Sequence, residues 1–227
     1  MADVDIRDFL PLVRQHAPSL PVPIAIEHLR QAAVTFCIET RCWRHTATIN
    51  VTANPSAIPT PINAVVHEIE VAEFEGLTSP LTPASYRDFT AEELAEPAGD
   101  TPPYYITQEH PDEAIILPCK AGVLTLRLFL KPRAAPIFDG NALRNMLPDF
   151  MLNHHAQYLA MGALASALIL PDEAFTDAAR AQFFQAQFRA RMDAMNTDFR
   201  AGQQRRRPRT ARSPWLTTGT VGRGRVR

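Results

Sequence analysis

The sequence predicts an α+β fold: a helical bundle built from N- and C-terminal helices, with a small antiparallel β-sheet inserted between them and an extended basic arm at the end. Three observations carry that expectation. Apolar residues recur with a helical period near both ends of the chain. Between those ends the period changes to two. From Arg200 onward the chain holds Arg, Gly and Pro with almost nothing to bury. The expected organisation is residues 1–45 as the N-terminal helices, 46–135 as the β-rich insert, 136–201 as the C-terminal helices and 202–227 as the arm.

In chain order, 5–17 reads as a short helix with Ile6, Phe9, Leu10 and Val13 on one side, broken by the Pro18, Pro21 and Pro23 cluster. A second helix runs to about Trp43, its apolar face carrying Ile26, Leu29, Ala33, Phe36 and Cys37. Alternation begins near Thr46 and predicts a strand over 46–51. Pro55, Pro59 and Pro61 then mark a loop. The next strand, 64–71, places Val65, His67, Ile69 and Val71 on one face and Glu68 and Glu70 on the other. His67 is expected there as a hydrogen-bonded structural histidine.

Residues 77–99 are polar, with one capped helical turn at Thr90-Ala91-Glu92-Glu93-Leu94. Short strands follow at 104–108 and 114–117. The clean alternation of Leu124, Leu126, Leu128 and Leu130 predicts another, with 118–122 as the turn before it.

After Pro136 the helical period returns. A short helix is expected over 141–147 and a long one over 149–170, rich in small residues that let helix backbones approach closely. Pro171 ends it. Thr176-Asp177 reads as the cap and first-turn acid of a final helix, whose stripe is Phe184, Phe188, Met192, Met195 and Phe199, with Gly202 just past its end.

At 227 residues and 46% apolar composition the chain can bury a substantial core. The net charge of −1 hides a segregation. Nine Arg and no acid lie in 200–227, which leaves 14 basic against all 24 acidic residues in 1–199, a net of −10 there. Three cysteines (Cys37, Cys42, Cys119) have no paired metal spacing and suit buried thiols in a reducing compartment. The acidic start does not read as a signal peptide. The longest nearly apolar run, 159–170, is too short to span a bilayer. The product is expected to be cytosolic when made.

No signature of a nucleotide, cofactor or catalytic site is present: no GxGxxG, no P-loop, no GxSxG. His154 and His155 are adjacent, so on a helix they point about 100° apart and do not pair on a metal. His110-Pro111-Asp112-Glu113 reads as a solvated acidic turn. No local pattern joins Ser, His and Asp into a triad. The chain is therefore expected to be no enzyme and to carry no cofactor.

The order of motifs resembles the head–tail adaptor (connector, head-completion) proteins of tailed bacteriophages over nearly the whole chain. The resemblance is carried by Asp8-Phe9-Leu10-Pro11-Leu12-Val13, Pro23 and the helix from Ala32 to Cys42-Trp43. It continues in Ile58-Pro59-Thr60-Pro61, Pro103-Tyr104-Tyr105-Ile106, Leu117-Pro118 and Leu126-Arg127-Leu128-Phe129-Leu130-Lys131-Pro132. It ends in Met161-Gly162-Ala163-Leu164-Ala165, the stripe from Phe188 to Gly202 and the Arg-rich tail.

That resemblance implies a structural virion protein at the head–tail junction. It would form a ring of copies, usually twelve, under the portal protein, extending the DNA channel and presenting a docking surface to tail or neck proteins. The arm, through Arg205, Arg206, Arg207, Arg209, Arg212 and Trp215, would dock on the portal. Guanidinium groups pair bidentately with carboxylates, and a Trp can anchor in an apolar pocket. Genomic DNA would pass without specific binding, and no membrane is involved. The competing readings are a basic-tailed nucleic-acid-binding module, in which polyarginine grips phosphate, and an assembly factor absent from the finished particle.

Overall fold

The computed structural model describes residues 3–95, 97–139, 142–171 and 173–200. Gly202 and the arm residues Arg205, Arg206, Arg207, Arg209, Arg212 and Trp215 lie outside the described residues, as does the Phe199 side chain.

The architecture is mixed α+β with small sheets. The chain enters through a short strand, β1 (Asp3–Asp5), and a 3-10 turn (Ile6–Phe9) that Asp5 caps by accepting from the Arg7 N–H at 2.8 Å. Helix α1 (Leu10–His16) continues it, so the single helix expected over 5–17 is three elements. Its apolar side is as expected: Ile6, Phe9 and Val13 are fully buried.

Helix α2 (Val22–Thr40) begins inside the proline cluster, with Pro23 in its first turn, where the missing N–H costs nothing. It stops three residues short of Trp43. Arg41 turns left-handed (φ 52) and donates its N–H to the Cys37 carbonyl, closing the helix. Leu29, Ala33, Phe36 and Cys37 are all at 0% exposure.

Two sheets, rather than one, form the insert. The first is antiparallel, ordered β2 (Arg44–Val51), β8 (Gly122–Pro132), β4 (Ala64–Phe74). Leu124, Leu126, Leu128 and Leu130 of the central strand are fully buried on one face, each worth about 1.5–3 kcal/mol of transfer free energy.

The edge strand β4 departs from simple alternation. Its register against β8 slips at His67 and again at Glu70, two β-bulges. The residues opposite the four leucines are therefore Val66, Ile69, Ala72 and Phe74, with spacings of three, three and two. Val65, Glu68 and Val71 share the outer face instead. The expected face of Val65, His67, Ile69 and Val71 does not exist, because each bulge flips the alternation after it.

The second sheet is ordered β3 (Ser56–Ala57), β7 (Glu113–Leu117), β6 (Tyr105–Thr107), β5 (Thr82–Pro83), with β5 and β6 parallel. Asn54 lengthens it: its side-chain amide donates to the Ile116 carbonyl at 2.6 Å and accepts from the Ile116 N–H at 3.1 Å, as a strand residue would. The turn over 118–122 thus passes from one sheet to the other and closes no hairpin. The helical turn α3 (Ala91–Leu94) is as expected, with a full capping box between Thr90 and Glu93.

In place of the helix expected over 141–147, the described residues 142–148 hold two short strands. β9 (Ile137–Asp139) pairs with β10 (Ala142–Arg144), and β11 (Met146–Pro148) pairs with β1 at the other end of the chain. A pairing partner some 140 residues away supplies backbone hydrogen bonds that local propensity could not announce.

Helix α4 (Asp149–Ala167) packs against α1, α2 and α5 (Ala178–Arg200), and α2 also packs on β8. A single apolar core therefore runs from the helices into the first sheet. The small residues of α4 do what close approach requires: Ala160, Gly162, Ala163, Ala165 and Ala167 are buried. Asp177, not Thr176, caps α5 by accepting from the Arg180 N–H at 3.0 Å, while the Thr176 hydroxyl donates to the Leu170 carbonyl. Phe184 and Phe188 are buried, and Met192 and Met195 pack on the core, so the stripe faces inward as expected.

Candidate functional site

Among the described residues no group of three His, Cys, Asp or Glu side chains is placed to hold a metal. His154 is exposed and His155 buried, the divergence that adjacent helical positions require. His110 and Asp112 sit in an exposed turn before β7. His67, the bulge residue, is half-buried beside a groove rather than inside the sheet.

One Ser–His contact escaped the sequence because its partners are 138 positions apart: His28 Nδ1 lies 2.8 Å from Ser166 Oγ. The Ser166 oxygen also lies 3.1 Å from the Ala163 carbonyl of its own helix. With the ring donating from Nδ1, the hydroxyl donates its own hydrogen bond to that carbonyl, and both the hydroxyl and Nδ1 are satisfied. The contact is then a lock between α2 and α4, with no base free to activate the hydroxyl.

His155 stands between the rings of Phe36 (4.9 Å) and Phe150 (6.2 Å). Burial, then the charges of Arg191 and His154, lower its pKa to about 4. The sign follows directly. Below pH 6.5 the unfolded chain takes up a proton that the folded chain refuses until about pH 4, so stability falls as pH drops through that window. His28 and His67 are lowered in the same direction, chiefly by burial. The loss from His155 is at most about 3 kcal/mol. We expect His155→Leu to flatten that part of the pH dependence, measured as the urea midpoint at pH 7 and pH 5. An unchanged pH dependence in the variant would assign the effect elsewhere.

What the surface offers is docking area. Residues 64–117 carry 12 acidic side chains and one basic one, Arg87. Three of the acids form exposed ion pairs across the outer face of the first sheet and its rim: Arg41–Glu68 at 2.8 Å, Arg44–Glu70 at 3.0 Å and Arg127–Glu73 at 3.3 Å. Such pairs contribute little to stability. The guanidinium groups of Arg41 and Arg44 also lie over the Phe129 ring, at 5.8 and 5.4 Å.

Exposed large apolar side chains occur in two parts of the fold: Ile62, Tyr104 and Tyr105 in the β-rich insert, and Ile169 and Phe183 on the helical part. Two grooves of about 490 Å³ each lie elsewhere on the surface. One runs between α2 and α5 over a floor of Ala32, Gly162 and Phe188, with Glu39 and Arg189 among its polar walls. The other lies between β4 and the β5–β6 pair. Exposed aromatic side chains are typical of protein–protein contact surfaces.

These features define an α+β protein whose distinctive chemistry is segregated charge and contact surface. The family model of the SU10 adaptor protein matches residues 4–215, and the chain belongs to that family. The resemblance to phage head–tail adaptors is thereby borne out, and the match runs through Trp215 into the arm. No curated protein matches the chain. Family membership supports a structural role as a phage adaptor, a component of the virion in contact with other head and tail proteins. Among the described residues no helix is long and apolar enough to cross a membrane.

Proposed function

We propose that this chain is the head–tail adaptor that forms a ring, of twelve copies, under the portal, extends the DNA channel and gives tail or neck proteins their docking surface. The observation that carries the reading is the family match over 4–215, which includes the first half of the basic arm. The helical bundle forms the ring wall. The insert, with exposed Tyr104 and Tyr105, faces the tail. The extended arm reaches the portal through Arg205, Arg206, Arg207, Arg209, Arg212 and Trp215.

Charge supports this arrangement. Residues 1–199 are net −10, so DNA slides past phosphate-repelling channel walls made of them without being held, and the arm, with eight Arg and no acid, seeks an acidic protein surface. A segment too polar to fold alone orders on its partner and wraps a large area. The reading includes no catalytic step, no cofactor, synthesis in the host cytoplasm and residence in the virion.

The test is capture by purified portal of the full chain and of a chain cut after Gly202. Portal binding should be lost on truncation, with DNA affinity weak in both forms at moderate salt. Strong DNA binding that vanishes with the arm, alongside unaltered portal capture, would favour the nucleic-acid reading. Images of the portal vertex lacking a ring of this chain would refute the adaptor position.

A further inference from the structure

Cys37 occupies the last turn of α2 with no exposed surface. The Arg41 N–H bonds the Cys37 carbonyl at 2.9 Å, and the left-handed turn at Arg41 folds the chain back over it. Cys42 is thereby set against Cys37, with the two sulfur atoms 3.8 Å apart. Cys42 is only half-buried, whereas Cys37 is fully covered. Cys119 lies in the connection between β7 and β8, outside this junction.

We propose that Cys37 and Cys42 form a reversible oxidation site, closing to a disulfide that ties the end of α2 to the start of β2 when a low-molecular-mass disulfide such as oxidised glutathione is present. The roles of the two thiols differ. The hydrogen bond from Cys37 pulls the Cys42 thiol below its usual range, whereas burial pushes Cys37 well up. Cys42, as thiolate, attacks oxidised glutathione, forming a mixed disulfide and releasing one glutathione thiolate. Cys37 then gives up its proton and attacks the Cys42 sulfur, releasing the second. Two protein thiols are oxidised and one glutathione disulfide is reduced to two thiols.

The chemistry needs only the junction geometry. Its timing, thiols during assembly in a reducing cytoplasm and a disulfide after release, rests on the virion location proposed above.

The experiment treats the full-length Cys119→Ser chain with oxidised glutathione under native conditions, followed by mass spectrometry of the peptide spanning both cysteines and by thermal melting. The expected peptide has lost two hydrogens and carries no glutathione, and the melting midpoint rises by about 5 °C. In Cys37→Ala the glutathione should remain on Cys42. The proposal is overturned if glutathione persists on Cys42 when both cysteines are present, or if neither thiol reacts until urea is added. A chain that closes the bond yet is not captured by portal would sink the ring reading and leave this one standing.

Discussion

Gly162→Leu is expected to destabilise the fold by about 3 kcal/mol, whereas Gly162→Ala should cost about 1 kcal/mol or less. Gly162 lies where α4 meets both of its large helical neighbours. A Cβ there would stand 3.0 Å from the Ala32 Cβ of α2 and 3.0 Å from two ring carbons of Phe188 on α5. The direction of a Cβ is set by the backbone, so no choice of rotamer relieves that contact. Nor can the Phe188 ring readily retreat, since it stacks on Phe36 at 6.1 Å in the core. Alanine asks its neighbours to give by a few tenths of an ångström and regains helix propensity. Leucine adds further atoms to a junction already at contact distance. Urea denaturation of the two variants checks the ordering, and a leucine variant within about 1 kcal/mol of the parent would mean the three helices are not this close.

The second large effect is expected at the one buried guanidinium identified among the described residues. Arg30 of α2 is 4% exposed and donates to the Arg133 carbonyl at 3.2 Å and to the Asn145 side-chain oxygen. Asn145 in turn accepts the Ile6 N–H on its backbone carbonyl at 2.8 Å, so one small network ties the entry turn, α2 and the segment before β11 together. Asn145→Leu leaves the charge in place with only the Arg133 carbonyl as acceptor and should cost about 3 kcal/mol. Arg30→Met removes the charge and fills the space with apolar volume, for about 1 kcal/mol. The double variant should recover most of the Asn145→Leu loss, because the stranded charge is gone. A double variant as unstable as the sum of the singles would show that the two side chains are not coupled.

Local periodicity made most elements legible. Leu29, Ala33, Phe36 and Cys37 share a helix face, and the four alternating leucines share a strand face, because side-chain direction repeats with the backbone. Close helix contact was likewise readable from Gly162 and the alanines around it. The capping box at Thr90 and Glu93 needs only four residues and was visible for that reason. The family resemblance and the opposed charges of body and arm were also properties of the chain as written.

Of the candidate contact surface, the sequence showed the Arg-rich arm and its opposite charge but not the exposed Tyr104 and Tyr105, whose alternation reads like any short strand. Nor did it show the Ser166–His28 lock or the Cys37–Cys42 contact. The lock joins residues 138 apart, and the thiol contact depends on Arg41 taking a left-handed turn.

By itself, the sequence determined where the long helices and the long strands lie, which residues each one buries when its repeat is unbroken, and where charge is segregated. Tertiary structure alone decided the face presented by β4, the division of the insert into two sheets and the strands β10 and β11 where a helix was expected. The physical reason is shared by β4, the two sheets and β11, while β10 pairs locally with β9. Hydrogen bonds to a partner distant in the chain fix register and pairing, and a single extra residue at His67 or Glu70 reverses every side chain beyond it without leaving a trace in local composition.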